Sequence, residues 1–120
     1  MSDSIDHLFE GHCQSCESGV GRLDDAEIAE GLERLPGWTR SDDGDAIHRE
    51  FRFKNFYRTM AFVNAVAWIA NTEDHHPDLT VGYGSCGVTF TTHAADGLTR
   101  NDFICALAVQ RLLRDDSTES

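Results

Sequence analysis

A chain of 120 residues with 40% hydrophobic side chains can bury one core and is short for two domains. Its formal net charge of −11 at pH 7 argues against a nucleic-acid partner, because phosphate binding needs clustered lysine and arginine. The longest apolar run, MAFVNAVAWIA, contains Asn64 and is far shorter than the roughly 20 residues of a membrane span.

The N-terminal MSDSIDHLFEGH is acidic and has neither the basic nor the apolar part of a signal peptide, so a cytoplasmic location is expected. Lys54 is the single lysine. An acidic, lysine-poor surface fits a high-salt cytoplasm and fits an ordinary acidic protein equally well. Cysteines stand at 13, 16, 86 and 105, and a disulfide framework is not expected in that setting. Cys13-Gln-Ser-Cys16, beside His12, has the spacing of half a zinc site, but no second CxxC completes it. It reads as a solvent-side remnant of a loose arm.

Residues 1–22 are polar and glycine-containing, and are expected to form a flexible N-terminal arm. The domain proper is expected over 23–114, followed by a disordered tail at 115–120. Asp24-Asp-Ala-Glu27 is a capping-box pattern, and Ile28, Leu32 and Leu35 follow at helical spacing until Pro36-Gly37 stops the helix. Two strand-like runs, 38–42 and 46–53, flank a DG-containing turn and predict a hairpin. Ile47, Phe51 and Phe53 share one face, which Arg49 interrupts.

Asn55 can cap a second helix running to about Asn71 or Thr72. Phe56, Met60, Val63, Ala67 and Ala70 supply its apolar stripe, widened by Phe62, Val66 and Ile69. Such width suggests burial against a sheet and against another subunit, with most residues around Trp68 in the core. Pro77 blocks further helix. LTVGYG and CGVTFTT predict a second hairpin, with Val88 and Phe90 on one face and Thr89, Thr91 and His93 on the other. Thr99 to Asp102 starts a last helix over about 100–114. The order α-ββ-α-ββ-α predicts an α+β, two-layer fold, a four-stranded antiparallel sheet with helices on one face.

Gly82-Tyr-Gly84-Ser-Cys-Gly87 matches the dinucleotide fingerprint in letters only. That motif needs a helix after it, and strand-like VTFTTH follows instead. The chemistry-bearing residues are histidines. His7 and His12 lie in the arm, and His48 alternates outward on a strand. His75 and His76 stand at a helix C-terminus, where the dipole favours imidazolium. His93 ends a strand, so the second hairpin can fold it beside the pair. A structural cap, a zinc site with Glu73 and Asp74, and metal-free acid–base work all remain open on these residues alone.

HHPDLTVGYGSCGVTFTTHAADGLTRND resembles the core of the pterin-4a-carbinolamine dehydratases. The shared pattern is His75-His76-Pro77, Tyr83, His93 and Asp102. LPGW at 35–38 and FRFKNF at 51–56 resemble the family's first hairpin and helix start, and the CxxC arm resembles bacterial members. Two departures stand out. Asn71 occupies a position that is usually charged, which could loosen His75 or shift its pKa, and Ala94 replaces a glutamate found in some members.

The resemblance implies dehydration of 4a-hydroxytetrahydropterin to quinonoid dihydropterin, with no metal and no other cofactor. It makes His75 and His93 the general acids and His76 a substrate-orienting residue. Asp74, Thr91 and Thr92 would border the pterin, and Asp102 would accept a hydrogen bond from an active-site imidazole. It implies a homodimer or homotetramer, and a place beside pterin-dependent aromatic amino-acid hydroxylases. A non-catalytic assembly or transcriptional-cofactor role on the same scaffold is the alternative.

Overall fold

A computed structural model describes residues 9, 11–13 and 21–113. The expected tail at 115–120, Cys16 and most of the expected arm lie outside the described residues. Helix α1 (Asp25–Glu33) begins as its sequence dictates. The Asp24 carboxylate accepts from the Glu27 N–H at 2.8 Å, and Glu27 accepts from the Asp24 N–H at 2.9 Å. After Pro36-Gly37 the chain enters β1 (Thr39–Arg40), turns through 41–46, and returns as β2 (Ile47–Arg52). The first strand is shorter than expected at both ends: Trp38 is buried in the core before it, and Ser41 already belongs to the turn, its carbonyl accepting from the Gly44 N–H at 2.9 Å.

Helix α2 (Phe56–Glu73) is capped by Asn55, whose side chain accepts from the Arg58 N–H at 2.9 Å. Strands β3 (Asp78–Val81) and β4 (Ser85–Phe90) form the second hairpin, and α3 (Arg100–Arg111) closes the chain. A single 3-10 turn, His93–Ala95, lies between β4 and α3. His93 therefore follows the strand and does not end it. Among the described residues no helix is long and apolar enough to cross a membrane.

The sheet order is β1-β2-β4-β3 and every pairing is antiparallel. The two hairpins thus join through their second strands. Register sets Ile47 opposite Phe90 and Leu79 opposite Val88. Period-two alternation then puts Ile47, Phe51, Cys86, Val88 and Phe90 on the inner face. There they meet Phe62, Val66 and Ile69 of α2 and Phe103, Ala106 and Val109 of α3 in one buried cluster. This is the expected α+β, two-layer, four-stranded antiparallel architecture. Arg49 is accommodated on that face. Its guanidinium lies 4.6 Å from the centroid of Phe51 and donates to Pro36 O and Gln110 Oε1.

The buried stripe of α2 is rotated from the expected one. Thr59, Phe62, Val66, Ile69 and Ala70 face inward, while Phe56 is half exposed and Ala67 is exposed. Trp68, expected near the core, is 69% exposed, and Tyr57 is 82% exposed. One sheet can cover only part of a helix circumference. An apolar pattern that runs most of the way round does not say which arc is covered.

Candidate active site

Antiparallel register assembles the site at one end of the sheet. Asp78 pairs with Thr89, so the histidines just before Asp78 and the Phe90–His93 segment just after Thr89 emerge together. Ile47 opposite Phe90 brings the 41–46 turn to the same end. The C-terminus of α2 and the N-terminus of α3 arrive there as well.

Asp74 ends α2 in the left-handed conformation, φ 55° and ψ 42°, and the Asp74 and His75 N–H groups both donate to Ala70 O. This turn sends His75 inward, where its side chain is 12% exposed. Its ring stacks on Phe90 with centroids 5.9 Å apart and planes 8° apart. His75 Nε2 donates to Asp102 Oδ1 at 2.6 Å.

Asp102 is fully buried. Its other oxygen, Oδ2, accepts from Thr92 Oγ1 at 2.8 Å and from the Thr99 N–H at 2.9 Å. Thr92 and Thr99 hydroxyls share a further bond at 2.9 Å. A buried carboxylate is costly unless paired and hydrogen-bonded, and here both oxygens are used. One residue therefore does two jobs. It closes the capping box of α3 and it orients His75. With Nε2–H committed to Asp102, Nδ1 is the ring nitrogen left for other partners.

Asp102 accepts from an imidazole as expected, and Thr92, expected at the pterin's border, is buried with it beneath His75. They position the imidazole and offer no surface of their own. Thr91 remains partly exposed, its hydroxyl donating to Asp45 O. His93 is exposed and lines a cleft with Thr91, Asp43, Asp45, Asp96 and Gly97; His75 and His76 are not among its walls. Asp74 and His76 are exposed at the helix end.

Asn71 has a different partner from the one expected. Its Oδ1 accepts from His76 Nε2 at 3.1 Å, while His75 is held by Asp102. Tyr83 belongs to the β3–β4 turn at the opposite end of the hairpin. It is largely exposed and stacks on Phe56 at 6.3 Å. The glycines around it serve that turn. A Cβ on Gly84 would come within 2.9 Å of Phe53 O.

The sequence expected His12 and Cys13 in a loose arm and did not place them against Glu73. The Glu73 side chain accepts from His12 Nδ1 at 2.7 Å and from the Cys13 N–H at 2.8 Å. Burial alone would raise the Glu73 carboxyl, but the Cys13 N–H and His12 outweigh it and hold the group below its usual range. His12 and Cys13 are thus tied to the residue before Asp74, and Cys13 is half-buried, not a solvent-side remnant. Only the acidic Glu73 at a helix end hinted at such a partner. Among the described residues, no group of three or more His, Cys, Asp or Glu is arranged to hold a metal ion.

Residues 21–112 match the sequence profile of the family described as pterin 4 alpha carbinolamine dehydratase. The chain belongs to this family. The pterin-4a-carbinolamine dehydratase profile spans every site residue discussed above except His12 and Cys13. A protein of Legionella pneumophila (strain Corby) with the provisional name pterin-4-alpha-carbinolamine dehydratase is 55% identical over 109 residues, covering 90% of this chain and 96% of the relative. A similarly named protein of Nitrosospira multiformis is 50% identical over 114 residues, covering 95% and 99%. The crystal structure of a transcriptional coactivator/pterin dehydratase from Brucella melitensis superposes with a TM-score of 0.74 at 35% identity, over 77% of this chain and 98% of that one. A pterin dehydratase-like protein described as a RuBisCO assembly factor in the alpha-carboxysome shares the fold, with a TM-score of 0.57 at 19% identity, over 65% and 90% of the two chains.

Proposed function

We propose that this protein dehydrates 4a-hydroxytetrahydropterin to quinonoid dihydropterin by histidine general acid–base catalysis. The observation that carries the reading is the 2.6 Å contact between His75 and the buried Asp102. A buried carboxylate holding Nε2–H fixes the ring's orientation and leaves Nδ1 outside that contact, the kind of positioned imidazole that general acid–base work needs. Hydroxide leaves carbon poorly. His75 gives its proton to the 4a-oxygen as the C4a–O bond breaks, and water departs. The N5 lone pair supplies the electrons, and a base then takes the N5 proton. The oxidation level of the pterin does not change.

His93 serves as a second acid for the opposite face or epimer of the pterin, and His76 orients the ring system. Asp74 and Thr91 border the substrate, whereas Thr92 and Asp102 act through His75. The exposed Phe56, Tyr57 and Trp68 on α2 favour a homodimer or homotetramer. The substrate would come from a pterin-dependent aromatic amino-acid hydroxylase in the cytoplasm. The test is a stopped-flow assay with 4a-hydroxytetrahydropterin. The rate should fall in His75→Ala and His93→Ala, and a doubly substituted protein as fast as wild type removes the enzymatic reading.

A second reading is a binding role on the same scaffold, favoured by the likeness to the Brucella protein described as a transcriptional coactivator and by the exposed α2 aromatics. It predicts a partner interaction that survives His75→Ala and is lost on Trp68→Ala.

A further inference from the structure

Cys13 and Cys105 stand 92 positions apart in sequence, yet their Sγ atoms lie 3.4 Å apart. Cys13 Sγ also donates to Asn101 O at 3.5 Å, and its backbone N–H is held by Glu73. Phe9 packs edge-on against Phe103 at 6.0 Å. Phe9 and Cys13 are therefore seated on the first turns of α3 before any covalent bond exists. The two thiols differ in access. Cys13 is half-buried, and Cys105 is fully buried.

A disulfide bond is about 2.05 Å long, so roughly 1.4 Å separates this contact from a bond. Side-chain rotation at Cys13, which lies outside any helix or strand, can supply much of that closure. Cys105 is held on α3, three residues from Asp102.

We propose that Cys13 and Cys105 form a reversible disulfide when the protein meets a hydroperoxide, latching the segment around Cys13 to the turn of α3 that carries Asp102. Cys13 is the sulfur an oxidant reaches. Its thiolate attacks a peroxide oxygen, the O–O bond breaks, and water or an alcohol leaves, giving a sulfenic acid. Cys105 Sγ then attacks Cys13 Sγ. The S–O bond breaks, and the Cys105 proton departs with that oxygen as water. Two thiols lose two electrons, and one peroxide bond gains them. A small dithiol reverses the bridge by exchange. The Cys13 contact and burial push the Cys105 thiol up, with Glu73 and Asp102 adding to the effect, so Cys105 reacts second and slowly.

The experiment treats the full chain with hydrogen peroxide, unfolds it, alkylates the remaining thiols, and maps the unreduced peptides by mass spectrometry. The expected product joins Cys13 to Cys105 within one chain and disappears on adding dithiothreitol. Oxidation should also raise Tm by roughly 5 °C or more, because the bridge closes a long loop. Cys13→Ser, which leaves the core intact, should abolish both the bridge and the shift. A Cys13–Cys16 bridge, a bridge between chains, an alkylated Cys105 beside an oxidised Cys13, or a bridge with unchanged Tm would each overturn the latch.

Discussion

His75 and Asp102 meet across 27 positions of sequence at 2.6 Å, and the carboxylate that receives the imidazole is also the N3 residue of the α3 capping box. Helix initiation and imidazole orientation therefore rest on one side chain. Asp102→Asn should keep much of the fold and lower kcat/KM by about tenfold to a hundredfold, since a neutral amide holds the imidazole less firmly than the charged acceptor does. In a His75→Ala background the same substitution should cost little more, because both changes remove one contact. An Asp102→Asn protein as fast as wild type would mean that Asp102 serves the helix alone.

Thr92 supports the same carboxylate from beneath. Thr92→Val preserves the shape and removes the hydroxyl that donates to Asp102 Oδ2. Leaving buried polar groups short of a partner should cost about 1–3 kcal/mol. Urea unfolding would report this as a lower midpoint with unchanged slope.

Asn71 holds His76, not His75. Asn71→Ala should therefore raise KM several-fold while kcat changes by less than about twofold. Steady-state kinetics decide this. A large fall in kcat with KM unchanged would place Asn71 on the proton-transfer side instead.

Glu73 carries a depressed carboxyl, so its anchoring of the Cys13 segment has a defined pH dependence. The folded-state value lies below the ordinary 4.5. The contribution is complete above that ordinary value. It erodes as pH falls below it and is gone once pH passes through the folded value. Protection of the Cys13 amide against hydrogen exchange, corrected for intrinsic rates, should follow this course in wild type. In Glu73→Gln it should be weaker and flat over the same range.

Local chemistry made much of the fold legible. Asp24 with Glu27, Asn55, and Thr99 with Asp102 announce three helix starts, because a cap needs only residues within one turn. Alternation in AIHREFRF and CGVTFTT announces strands with an inner face, because the pleat has period two. The histidine spacing carried the family resemblance for the same reason, since it is a pattern in one dimension. Tertiary structure decided what those patterns share. Pairing of β2 with β4 and the register of Asp78 with Thr89 brought distant segments to one end of the sheet. Those pairings joined His75 to Asp102 and buried Thr92. They left His93 in a cleft with Thr91, and they set Tyr83 at the far end of its hairpin. The arc of α2 that faces the sheet, and hence the exposure of Trp68, was likewise settled by packing. Partner choice among polar side chains depends on distances of a few ångströms between elements far apart in sequence, and no local propensity encodes those distances.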